Sequence, residues 1–273
     1  MSISVRKESK EARVKRSKRS KMKIVVIGGS GVAGVHLVEA LRRAAGVDAL
    51  SVSRHSGVDV TTGVGLDKFL SGVQRVVDVS STESPDEGIS RTFFVASAKH
   101  LQRAAERAGV ERLFVLSIVG VDQLSHGYAA AKFEQERTIR SGAVPAFVVR
   151  STQFYELVQR IRNWGLRDGI WWVQDQLVQP VAVAAVVSVL AELVLTESPP
   201  AAISEVAGPQ REQLVDMARR WAARRGERVE VRGIPDDSPD GRAFKSGALL
   251  PGHGATITGP TFQQWLDEGE RGP

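Results

Sequence analysis

No cysteine occurs in the 273 residues. That excludes disulfides, thiolate metal sites and thiol nucleophiles, and it fits a reducing compartment such as the cytoplasm. Long hydrophobic runs are also missing. The most apolar stretch, residues 181–195, is interrupted by Ser188 and Glu192. It falls short of the ~20 residues a bilayer span needs and reads as a buried helix, so no membrane partner is expected. The five histidines, at 36, 55, 100, 126 and 253, form no i, i+4 pair and adjoin no pattern of acids. No metal site is therefore expected. A Gly-x-Ser-x-Gly elbow is absent, which removes the usual frame of a hydrolase nucleophile. There is no internal repeat, and the N-terminus has no apolar segment of the kind a secretory signal carries.

Charge of one sign is concentrated rather than general. The net charge is +6, yet residues 1–21 alone hold nine Lys and Arg against two acids, so the remainder is close to neutral. The run RVKRSKRSK suits a contact with nucleic acid or another acidic surface. It also suits a solvated leader, or an extension ahead of a natural start at Met22, because the first strand begins directly after it. Residues 1–22 are read as a basic disordered leader, and a nucleic-acid contact would rest on that leader alone.

What remains has the 42% apolar and 25% charged content of a globular chain with a sizeable core. Its organising stretch is KIVVIGGSGVAGVHLVEAL, residues 23–41. Ile24 to Ile27 form an apolar, mostly β-branched strand. A glycine turn follows, and then Val35, Leu37, Val38 and Leu41 recur at helical spacing. A strand, a glycine turn and a helix are the context of a dinucleotide-binding turn. Gly28 permits the tight turn, Gly31 lets backbone N–H groups approach a pyrophosphate, and Gly34 lets helix and strand pack closely. Gly29, Ser30 and Val32 complete the cradle, with phosphate on the helix N-terminus.

Further strands are expected at 49–53, 73–80, 112–117 and 146–150, with helices at 66–71, 93–108 and 128–141. This alternation predicts a doubly wound parallel sheet of Rossmann type over residues 23–150. Ser53 and Arg54 end the second strand, where an acid would select NAD; a guanidinium there pairs with the 2′-phosphate of NADP. Val79, Ser80 and Ser81 end the third strand. Val79 and Ser80 are expected against the cofactor and Ser81 against the substrate. After the strand ending at Arg150, Gln153 would face the cofactor's reactive end, and Phe154 and Tyr155 would wall the substrate. Residues 151–273 are expected to form a small α+β substrate region. It would contain a helix over 181–195, a strand over 204–207, a helix over 214–225 and a strand over 230–234. A long loop from Pro235 to Gly259 would follow. Trp164, Trp171 and Trp172 would line an apolar pocket or anchor the two regions to each other.

Three residues suit proton and hydride chemistry. Ser117 ends a strand; Tyr128 and Lys132 lie four apart and so share a helix face. An ammonium beside a phenol would favour the phenolate, bringing Tyr128 towards a pKa useful for proton exchange. Ser117 would hold the developing alkoxide, and Lys132 would also reach the nicotinamide ribose.

The Gly28-x-x-Gly31-x-x-Gly34 spacing resembles that of the short-chain dehydrogenase/reductases, particularly the atypical NmrA-like members. So do the segments GVERLFVLSIVGVD, GYAAAKFEQER, VVRSTQFYE and PVAVAAVV. The later GAL-LP and TFQQWL are similar to bacterial NAD(P)H-binding oxidoreductases. The likeness covers nearly everything after Met22. It implies a Rossmann domain, a small C-terminal substrate domain and NADP(H), and it places Asp59 against the adenine. Ala184 and Ala185 stand where epimerase-like relatives carry an acid, which argues against sugar-nucleotide chemistry. The expected function is NADPH-dependent reduction of a small carbonyl or quinone-like compound, by a monomer or homodimer. The alternative is a non-catalytic NADP(H)-sensing regulator of the NmrA-like type.

Overall fold

The computed structural model describes residues 21–82, 84, 86–198 and 201–269. The expected leader lies outside the described residues, apart from Lys21 and Met22. The first half alternates strand and helix: β1 (Met22–Ile27), α1 (Val32–Arg43), β2 (Val47–Val52), α2 (Leu66–Leu70), β3 (Arg75–Asp78), α3 (Glu87–Ala108), β4 (Arg112–Ile118), α4 (Gly127–Arg140) and β5 (Ala146–Ser151). Then come α5 (Leu157–Gly165), β6 (Leu166–Arg167), β7 (Ile170–Gln174), β8 (Leu177–Val178), α6 (Val183–Leu195), β9 (Ile203–Ala207), β10 (Glu212–Gln213), α7 (Leu214–Arg224), β11 (Glu230–Ile234), α8 (Pro239–Lys245), β12 (Thr256–Ile257) and α9 (Phe262–Glu268).

The central sheet has seven parallel strands in the order β12-β9-β5-β4-β3-β1-β2. The order of strand addition reverses between β1 and β3, the switch point beyond whose carboxyl ends open α/β sheets bind ligands. Strand alternation sorts the core into two layers. Ile24, Val26, Val77, Phe114 and Leu116 face α1 and α6. Val25, Ile27, Val76, Leu113 and Val115 face α3 and α4. The rim position of α3 is fixed by Asp86, whose Oδ1 accepts from the Ile89 N–H at 2.8 Å. Gly109, at φ 68°, ends that helix in the left-handed conformation.

A second apolar cluster unites Tyr155, Val158, Trp171, Trp221, Phe262 and Trp265, around the small sheet β11-β7-β6. The division at 150 is not a clean cut. The chain returns after 180 to lay α6 on the central sheet, and β9 and β12 extend that sheet. The stretch 235–259 is not one loop either. Ser238 caps α8 by accepting from the Gly241 N–H at 3.0 Å, Pro239 begins that helix, and β12 follows. Among the described residues, no helix is long and apolar enough to cross a membrane.

Candidate functional site

The glycine turn follows β1 at the carboxyl edge of the sheet. Gly28 has φ 79°, and a Cβ there would sit 2.8 Å from the backbone of Ser80. Its N–H donates to Val52 O at 2.9 Å, so β1, β2 and β3 converge on this residue. A Cβ at Gly34 would overlap Gly28 O, which makes the close approach of α1 dependent on glycine. At Gly31 a Cβ would meet only Gly28 O, at 3.3 Å. Gly31 precedes α1 and provides no side-chain cap for its first N–H groups. Gly29 is buried against Ser51, Ser30 is exposed, and Val32 is 55% exposed beside the turn.

At the end of β2, Ser53 and Ser56 close a capping box around a short 3-10 turn that begins with Arg54. The Arg54 side chain is exposed, with no ion pair among the described residues. Asp59 is committed to a local turn. Its Oδ1 accepts from Thr61 N at 2.8 Å and from Thr61 Oγ1 at 2.6 Å, and these bonds hold its carboxyl below the usual range. Only Oδ2 is left for an adenine, so the role implied by the resemblance is narrowed to that atom.

The ends of β3, β4 and β5 present polar groups towards α3 and α4. Asp78 is buried, and sequence reasoning passed over it. The Ser80 N–H donates to its Oδ1 at 2.9 Å; Gln135 Nε2 (3.0 Å) and Ser97 Oγ (3.4 Å) donate to its Oδ2. Burial pushes its carboxyl up, opposed by the charge of Lys132. An acid inside the apolar run RVVDV was the available signal. Val79 continues the ladder, its N–H donating to Ile27 O at 3.0 Å. Ser117 Oγ, Thr152 Oγ1 and Gln153 Oε1 are buried and have no hydrogen-bond partner among the described residues. An unsatisfied buried polar atom costs about 1–3 kcal/mol, so three at one sheet edge are unusual for purely structural residues.

On α4, Tyr128 Oη shares a 2.8 Å hydrogen bond with Ser81 Oγ, and its ring meets Phe94 edge-on at 5.2 Å. Lys132 is buried, with Nζ 4.4 Å from the Phe94 ring centroid and no hydrogen bond among the described residues. Burial pulls its pKa down to about 8, opposed by Asp78 and Glu136. The expectation that Lys132 makes Tyr128 more acidic needs correction. Burial raises the phenol, the Ser81 hydrogen bond opposes this, and the cation that acts on it is Arg160 of α5. The Lys132 charge acts on Asp78 instead.

Behind this pair, Arg150 holds α4 in place. Its Nη2 donates to Glu136 Oε2 at 2.8 Å and its Nη1 to Asp122 Oδ2 at 2.9 Å. The pairing joins residues far apart in the chain, and nothing local announces it.

Tyr155 is not a substrate wall. It is 1% exposed, donates to Pro260 O at 2.9 Å and packs against Phe262 and Trp265. The chain turns inward after Phe154, which bridges to Val181 and packs partly buried on the central core. Trp171 is likewise core, and Trp164 is exposed.

No protein-family model matches the chain, and no curated protein matches it in sequence. Solved structures share its fold. The NADPH-dependent quinone oxidoreductase QOR2 of Escherichia coli, complexed with NADPH, superposes with a TM-score of 0.70 at 16% identity over 91% of this chain and 100% of that one. A short-chain dehydrogenase/reductase superfamily protein of Agrobacterium tumefaciens with bound NAD gives 0.67 at 17%, over 90% and 95%. A dTDP-4-dehydrorhamnose reductase of Bacillus anthracis in complex with NADP gives 0.63 at 15%, over 91% and 93%. The fold is that of these Rossmann-type proteins.

Proposed function

We propose that this chain is an NADP(H)-dependent oxidoreductase that reduces a small carbonyl or quinone-like compound. One observation carries the reading. Tyr128, the only tyrosine besides the core residue Tyr155, stands at the carboxyl edge of the sheet one turn from a buried ammonium that has no hydrogen-bond partner among the described residues. The glycine cradle and the unsatisfied Ser117, Thr152 and Gln153 atoms line the same edge.

These residues fit a dinucleotide. The backbone of Gly29 to Val32 and the first turn of α1 would hold the pyrophosphate. Arg54 would pair with a 2′-phosphate, with Ser53 beside it. Val79 and Ser80 would flank the cofactor, and Lys132 would hold the ribose hydroxyls near the nicotinamide. When bound, the nicotinamide supplies the hydride. Tyr128 gives the proton at Oη to the carbonyl oxygen, so the burial that keeps the phenol protonated suits a donor. Exposed Ser81, hydrogen-bonded to that oxygen, offers the phenolate a route to recover a proton from solvent. Ser117 would hold the developing alkoxide.

A second reading, a non-catalytic NADP(H)-sensing protein, is favoured by one fact: the Tyr128 hydroxyl is already engaged in a 2.8 Å hydrogen bond with Ser81 Oγ. Steady-state oxidation of NADPH against aldehydes, ketones and quinones separates the two. Turnover with any of them supports the reductase; tight NADPH binding without turnover across the set supports the sensor.

A further inference from the structure

Asp78 ends β3 inside the run Val76-Val77-Asp78-Val79, and its side chain is buried. Donors from three elements reach the carboxylate: Ser80 N–H of the strand exit at 2.9 Å, Ser97 Oγ of α3 at 3.4 Å and Gln135 Nε2 of α4 at 3.0 Å. Desolvating a carboxylate is expensive, and hydrogen bonds at best offset that cost. What the three bonds do supply is direction. Gln135 is also fully buried, and its Oε1 has no partner among the described residues. Its amide is therefore committed to Asp78 alone.

Both ends of this arrangement meet the candidate site. Ser80 is pressed on the glycine turn, since a Cβ at Gly28 would sit 2.8 Å from its backbone. The next residue, Ser81, holds Tyr128 Oη at 2.8 Å. Tyr128, Lys132 and Gln135 stand at i, i+4 and i+7 of α4 and so form one stripe. On α3, Phe94 and Ser97 are three apart and share a face. Phe94 meets Tyr128 at 5.2 Å between ring centroids and Lys132 Nζ at 4.4 Å, and Ser97 meets Asp78. The segment 78–81 is thus fastened to α4 at two points, Ser81 to Tyr128 and Asp78 to Gln135. Seven residues separate these points, about 10 Å along the helix axis. One bond fixes a point; two fix the slide and the rotation of the helix against the strand exit.

We propose that Asp78 is a positioning residue. Its carboxylate holds the strand exit and α4 in register, so that the Tyr128 phenol and the Lys132 ammonium together face the nicotinamide end of a cofactor seated on the glycine turn. The consequence for turnover rests on the reductase reading; the register itself does not. Displacing a reacting group by about 1 Å costs on the order of a hundredfold in rate, so the register matters even though Asp78 touches no substrate.

The test exchanges the two partners in the full chain. Gln135→Glu sets two carboxylates against each other. Asp78→Asn combined with Gln135→Glu restores one donor and one acceptor, with the charge on the other side of the same bond. The chain has two tyrosines, so ring-labelled tyrosine gives two sets of NMR signals, with Tyr155 of the second core as the internal control and Tyr128→Phe assigning them. Gln135→Glu should shift the Tyr128 signals and leave those of Tyr155 in place, and the double variant should return them to their wild-type positions. At saturating NADPH, kcat should fall at least about tenfold in Gln135→Glu and recover to within about threefold of wild type in the double variant. The Kd for NADPH should weaken by no more than about threefold, because the glycine turn and Arg54 still hold the cofactor. Should Gln135→Glu fail to fold, Gln135→Leu, which withdraws the helix arm without adding a charge, should give the same Tyr128 shift and the same loss of kcat. Tyr128 signals that stay in place in the single variants, a double variant that does not restore them, or a loss that falls on NADPH affinity rather than on kcat would each overturn the assignment. Failure of the reductase reading shows separately, as no NADPH oxidation by the wild type while the Tyr128 signals still follow the exchange.

Discussion

Tyr128 and Lys132, one turn apart on α4, contact the same ring but act on different partners. The Tyr128 ring stands perpendicular to the Phe94 ring at 5.2 Å, and the Lys132 ammonium lies over the Phe94 ring at 4.4 Å. The phenol bonds Ser81 at the rim, while the ammonium acts on buried Asp78.

Tyr128 is thus kept protonated, as a donor should be before transfer. Tyr128→Phe should lower kcat by about 10²–10⁴, the usual worth of general acid catalysis. NADPH affinity should be unchanged, because the hydroxyl has no part in the cradle. Retained turnover in the variant, measured by NADPH oxidation, would reject Tyr128 as the acid.

Lys132 gives the binding step a pH limb. With its pKa near 8 in the folded chain, it loses its proton well before an unfolded lysine, at about 10.4, would. Between these values the unfolded chain binds more protons, so this residue makes the fold more stable as pH rises through the window. The hold on the cofactor should move the opposite way, because the charged donor disappears. NADPH affinity should fall above about pH 8 in the wild type, and Lys132→Met should remove the dependence. An affinity flat across the window in the wild type would contradict the role.

Gly31 and Gly34 should separate binding from folding. A methyl at Gly34 would overlap Gly28 O, so Gly34→Ala should lower Tm by several degrees, as core overpacking of about 1–3 kcal/mol does. A methyl at Gly31 would meet only Gly28 O, at 3.3 Å, so Gly31→Ala should fold and yet lose NADPH. Thermal melts and NADPH titration of the same two samples check both halves.

Arg54 is expected to select the phosphorylated cofactor. Arg54→Ala should weaken NADPH by about tenfold to a hundredfold, the loss of a charged hydrogen-bonded pair, and leave NADH nearly unaffected. Equal losses for the two cofactors would remove the 2′-phosphate from the account.

The parts of this arrangement that depend on local period or local turn chemistry were legible in the sequence. The glycine turn, the helix bearing Tyr128 and Lys132, and the parallel alternation up to Arg150 are of this kind. Tyr155 looks like a substrate wall because STQFY follows a strand at the carboxyl edge, yet its ring turns inward to Phe262 and Trp265, more than a hundred residues later. Non-local contact likewise hid the return of α6, β9 and β12 to the central sheet and, over 14 and 28 residues, the pairing of Arg150 with Glu136 and Asp122. In the 235–259 stretch, Pro, Gly and Asp content outweighed the Ser238-Pro239 signal that starts α8.

Titrating NADPH and NADH into the protein while following nicotinamide fluorescence tests whether the Gly28–Gly34 turn builds a dinucleotide site. Saturable binding of one cofactor per chain is expected, with NADPH the tighter. No saturable binding of either cofactor would contradict it.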